Sequence, residues 1–108
     1  MTVPVEAYIR VRLKLLPTGQ GGRRTPIRSG YRCDCWLGGR AAAGDRGANG
    51  AVLFLEDREK LSPGESSMAR LQPGVEHFWN GIYVDMLIEL GEGTRLIGKA
   101  TVEELLRR

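Results

Sequence analysis

The strongest constraint on the fold is a period-two pattern near the N-terminus, where Ala7, Ile9, Val11, Leu13 and Leu15 alternate with Tyr8, Arg10, Arg12 and Lys14. Successive side chains of a strand point to opposite faces, so this run buries one face and presents a cationic one. A helix would scatter the same residues around its circumference. The alternation returns at 31–37, where Tyr31, Cys33, Cys35 and Leu37 share one face and Arg32, Asp34 and Trp36 the other. It returns again at 82–90, with Ile82, Val84, Met86, Ile88 and Leu90 set against Tyr83, Asp85, Leu87 and Glu89. Shorter runs at 51–55 and 66–71 and a β-rich stretch at 95–102 bring the expected strands to six.

Glycine and proline punctuate these runs. The turn at 17–22 leads into a loop at 23–30, in which Pro26 fixes its own φ and biases Thr25 toward extended geometry. Residues 38–50 are mostly Gly, Ala, Arg, Asp and Asn, too polar to order themselves, and read as a flexible connection. Residues 56–60 form a charged connector. Leu61-Ser62-Pro63-Gly64-Glu65 places Pro and Gly at the central positions of a type II turn, and 71–74 repeats that chemistry. Gly91-Glu92-Gly93-Thr94 reads as a hairpin turn, and residues beyond 102 continue the last strand or form one helical turn. No helical period separates the strands, so the 108 residues form one all-β antiparallel domain, a barrel or a sandwich.

The segment Gly21-Gly22-Arg23-Arg24-Thr25-Pro26, followed by Gly30-Tyr31-Arg32, resembles the "GGR-x-TP" loop and "GYR" strand that open the C-terminal β-barrel, or third domain, of bacterial elongation factor Tu. Residues 50–55 stand where that family has a "G-T-I-x-L" strand. Residues 61–65 stand at its "PGD" turn, and Glu92-Gly93-Thr94-Arg95-Leu96-Ile97-Gly98 at its closing "EGGRTVG". The resemblance covers nearly the whole chain in order. It implies a six-stranded antiparallel barrel spanning 1–108, without the family's GTPase domain. It also implies a binding surface that meets tRNA or another RNA, or a translation factor or other protein, and carries no catalysis. Arg23, Arg24 and Thr25 match the family loop, and Gly93 and Arg95 match its closing turn. Arg28, Arg32 and Trp36 join them as candidate binding residues from their place in the same loop and strand. Three places depart from the family: Cys33-Asp34-Cys35 replaces Pro-Gln-Phe, whose glutamine faces tRNA, Gly91 stands where an arginine is usual, and His77-Phe78-Trp79 stands where a His-Pro segment is usual.

The net charge of +3 is unevenly distributed. Residues 1–50 hold nine Lys/Arg against three Asp/Glu, and residues 51–108 hold seven against ten. A basic half points to nucleic acid or an acidic partner, whereas interleaving of the halves in a barrel would neutralise it. No apolar run approaches the roughly 18 residues of a membrane helix and no secretory leader is evident, so a cytoplasmic protein with reduced thiols is expected. The spacing of Gly93 to Lys99 imitates a phosphate loop, but Ala100 stands where the magnesium-binding hydroxyl belongs, so no nucleotide is expected. Cys33, Cys35 and His77 provide one closely spaced ligand pair where zinc sites use two, so neither metal nor cofactor is expected. Trp36 and Trp79 are either stacking or anchoring groups or covers for the barrel.

Overall fold

The computed structural model describes residues 3–44 and 47–106. Among these residues eight strands form: β1 (Ile9–Leu15), β2 (Ile27–Arg28), β3 (Tyr31–Leu37), β4 (Asn49–Leu55), β5 (Lys60–Leu61), β6 (Ser66–Pro73), β7 (Leu87–Glu92) and β8 (Arg95–Leu105). Six of them close into an antiparallel barrel in the order β1-β6-β4-β3-β7-β8, and β2 pairs with β5 in a small separate ladder. The closed barrel expected from the sequence is therefore present, and its six long strands are the six expected ones.

Alternation decides what lies inside. Ile9, Val11, Leu13 and Leu15 of β1 are buried, and they join Cys33, Cys35, Leu53, Leu55, Leu71, Ile88, Leu90, Ile97 and Val102 in one interior cluster. Filling a small barrel with side chains is what this strand number allows, and burial of each Leu or Ile contributes about 1.5–3 kcal/mol. Both ends are stoppered. Ile27 and Leu61, opposite each other in the β2–β5 ladder, belong to the core, as does Trp79 from a 3-10 turn (Glu76–Trp79) between β6 and β7.

Four expectations change. Residues 82–86 do not extend β7: Ile82 and Met86 pack on the core, but Val84 is exposed and Asp85 takes φ of 76°, which ends the alternation in a turn. The second proline-glycine pair forms no turn at 71–74, because Pro73 pairs with Ala51 and extends β6 by two residues. The 56–60 connector and the 23–30 loop are tied together, since each contributes one strand of the β2–β5 ladder. Within the 38–50 connection, Arg40–Ala43 makes one helical turn (α1) and β4 starts at Asn49, while residues 45 and 46 lie outside the described residues. The Pro63-Gly64 turn forms as expected, with Glu65 N–H donating to Ser62 O at 3.0 Å. Beyond 102 the chain stays extended, and Leu105 pairs with Ile9.

On the outer face, the basic first half and the acidic second half meet across strands. Arg10 and Arg70, opposite each other on β1 and β6, share Glu56 at 2.9 and 3.2 Å, and Arg12 pairs with Glu103 of β8 at 2.9 Å. The hydrogen bonds from Arg10 in particular, with those from Arg70, hold the Glu56 carboxyl below its ordinary range against the opposing effect of burial. A depressed carboxylate stabilises the fold above its unfolded pKa, and the contribution is lost as pH falls through the folded value. Glu56→Gln should therefore cost about 1 kcal/mol at neutral pH. In thermal melts across pH, the parent and variant curves should converge below about pH 4; a gap that stays constant would mean the charge is not what Glu56 contributes.

Candidate functional site

One end of the barrel gathers the turn after β1, the 23–30 segment, the β5 region and the β7–β8 hairpin. Its loop is fixed by a network that begins with Gly22. A side-chain carbon there would sit 2.1 Å from Leu16 O, so only glycine permits this approach. Arg95 of β8 then clasps the turn: its Nε donates to Gly21 O at 3.0 Å and its Nη2 to Gly22 O. Arg23 works from the other side. It forms an ion pair with Glu92, lies 5.0 Å from the Tyr31 ring centroid, and donates to Thr25 O and Thr25 Oγ1 at 3.1 and 3.0 Å. Burial first, and the Glu92 carboxylate second, push the Tyr31 hydroxyl above its ordinary range.

Of the candidate binding residues, Arg23, Thr25 and Arg95 are thus occupied within the protein, and the Arg23 side chain is only 18% exposed. Arg24, Arg28 and Arg32 are exposed, with no carboxylate partner among the described residues. Three lysines share that condition. Lys60 stands directly opposite Arg28 in the β2–β5 ladder, and Lys14 stands opposite Lys99 near the same end of the barrel. The cleft beside Arg28 measures about 740 Å³ and is also lined by Arg58, Asp57 and Glu59, so cations and carboxylates share it. Sequence reasoning missed Lys60 and Lys99. A two-residue strand carries no periodicity, and the β5 region reads as a connector until its partner is known.

Trp36 and Asp34 explain each other's neighbours. Trp36 projects from the outer face of β3 over Gly91, where a side-chain carbon would fall 2.3 Å from the indole. Arg40 covers the same ring at 4.9 Å, so the indole is packed between a glycine and a guanidinium. Asp34 Oδ2 accepts the Gly93 N–H at 3.2 Å and ties β3 to the β7–β8 turn, in which Gly93 takes φ of 60°. Asp34 and Gly91, two of the departures from the pattern the chain resembles, therefore have structural partners.

The chemical alternatives separate in space. Cys33 and Cys35 are buried with their sulfurs 3.8 Å apart, and the hydrogen bond with Cys33 together with burial pushes the Cys35 thiol well above its usual range. His77 is exposed beside Phe78, in the turn that carries Trp79. The residues with phosphate-loop spacing form the hairpin turn and the start of β8, which continues as a strand to Leu105. Among the described residues, no helix is long and apolar enough to cross a membrane. Comparison of the chain with protein-family models and with curated proteins gives no match, so the likeness to the elongation-factor barrel rests on motif order and fold alone.

Two outcomes follow from this geometry. Arg95→Ala should speed hydrogen exchange across residues 19–30 and leave the β1 amides protected; unchanged exchange in the loop would show that Arg95 does not hold it. Gly91→Ala should lower stability by about 1–3 kcal/mol and shift the Trp36 fluorescence, since the indole must leave its place.

Proposed function

We propose that this chain is a non-catalytic binding module, built like the C-terminal barrel of elongation factor Tu, that holds the phosphate backbone of RNA at its loop end through Arg24, Arg28 and Arg32. The observation that carries the reading is the unneutralised Arg28–Lys60 pair, two exposed cations facing each other across a ladder. Like charges directly opposite are destabilising, and an anion between them reverses the sign. Guanidinium groups suit this role because their fork matches two phosphate oxygens at once. Lys14, Lys60 and Lys99 add to the field that draws a polyanion toward this end.

Arg23, Thr25 and Arg95 are positioning residues in this scheme. They fix the backbone from which Arg24 and Arg28 project, so less ordering is required when the ligand binds. Asp34 stands where the resemblance would have a tRNA-side glutamine, and its bond to Gly93 turns it away from that task. Trp36 packs against Gly91 and Arg40, so backbone contacts rather than base stacking supply affinity.

Binding should fall steeply with salt. Three phosphate contacts to a single strand give a slope of about −2 in log K against log salt, and removing one arginine reduces it by about 0.7. Fluorescence anisotropy with labelled tRNA and with a labelled single-stranded RNA measures this slope. The Arg24→Ala/Arg28→Ala/Arg32→Ala variant should bind weakly and with little salt dependence. Undetectable RNA binding by the parent at about 50 mM salt would remove this reading.

A further inference from the structure

The opposite end of the barrel has another chemistry. The starts of β1, β4 and β7 and the ends of β3, β6 and β8 converge there, as Ile9 pairing with both Leu71 and Leu105 requires. The large apolar side chains found exposed among the described residues all belong to segments at this end: Val5 before β1, Val75 and Phe78 after β6, Tyr83 and Val84 before β7, and the terminal residues Leu87 and Leu105. Phe78 and Tyr83 are 57% and 59% exposed. A cleft of about 430 Å³ opens between Leu37, Ala43, Ala48 and Phe78. Such a concentration of exposed apolar groups on one face marks an interaction surface rather than scattered solvent contact.

The charge at this end identifies what fits it. Glu6 and Glu76 line a second, smaller pocket of about 140 Å³, and Asp85 is exposed beside Tyr83 and Val84. Glu103 and Glu104, near the end of β8, are paired with Arg12 and Arg10, which leaves Glu6 and Asp85 as the carboxylates a partner would meet. The cations near this end among the described residues are already engaged: Arg40 lies over Trp36, and Arg10 and Arg70 pair with Glu56. We infer that this end docks a cationic amphipathic segment of a partner protein, whose apolar side chains enter the Phe78 cleft and whose Lys or Arg residues meet Glu6 and Asp85. A second copy of this chain is a poor occupant. Meeting end to end would oppose the carboxylates of both copies, and the cationic end of another copy offers no exposed large apolar side chain among the described residues. The inference does not depend on RNA binding, because the two ends share no side chain.

The test uses a fluorescein-labelled synthetic peptide of Leu and Lys patterned as an amphipathic helix, with a matched Leu/Glu peptide as control. The Leu/Lys peptide should bind the full chain, and amide shifts in 1H–15N spectra should concentrate in residues 75–87. Phe78→Ser should weaken binding about tenfold, and Glu6→Gln/Asp85→Asn should weaken it about threefold at low salt. Those residues are exposed, and Asn tolerates the left-handed backbone of Asp85, so the variants should keep the parent melting curve. The Arg24→Ala/Arg28→Ala/Arg32→Ala variant should bind the peptide as the parent does. Equal binding of the Leu/Glu peptide, shifts confined to the loop end, no binding, or sedimentation showing a dimer abolished by Phe78→Ser would each overturn the inference.

Discussion

Everything in this molecule depends on the ladder between β1 and β8. It joins the first strand to the last, from Leu15 with Gly98 to Ile9 with Leu105, and so turns an open sheet into a ring. Closure removes sheet edges, which are the usual place for a β-protein to recruit another chain. What remains exposed is the outer wall and the two ends. The wall between β1, β6 and β8 is largely consumed by cross-strand ion pairs centred on Glu56 and Glu103. Unpaired cations collect toward one end of the barrel, and exposed apolar groups with carboxylates at the other.

Much of the barrel was legible in the chain because alternation is local. Residues 9–15 and 31–37 have the faces that their pattern assigns, and so do Ile88 and Leu90. Where alternation misled, at 82–86, the conflict lay between a strand-like pattern and the need to carry the chain around after Trp79 fills the barrel mouth. Asp85 resolved it by adopting a conformation that a pattern of hydrophobicity does not encode. The β2–β5 ladder was illegible for a different reason: two short segments more than thirty positions apart become a pair only when the barrel brings them together.

The candidate site divided along the same line. A basic loop can be recognised from Arg23, Arg24, Thr25 and Pro26, but composition does not distinguish an arginine that faces solvent from one that braces the fold. Arg23 and Arg24 are neighbours in sequence, yet one is tied to Glu92, Tyr31 and Thr25 while the other is exposed. What separates them is Glu92 and Arg95, contributed from the far side of the chain. Asp34 and Gly91, where the chain differs from the pattern it resembles, are similar in kind. Each looks like a loss when one position is read at a time, and each has a structural counterpart in Gly93 or Trp36.

Trp79 is among the largest fully buried side chains, and it hangs from a single 3-10 turn. Ile27 and Leu61, at the other end, are held to each other by the β2–β5 ladder. The barrel thus has a built-in bias in how it breathes. Lifting the Trp79 stopper breaks no strand pairing, whereas lifting Ile27 and Leu61 breaks a ladder. Fluctuations that open the interior should begin at the end that carries the exposed apolar side chains, and a molecule seated there would also act as a cork, slowing the breathing of a core it never enters.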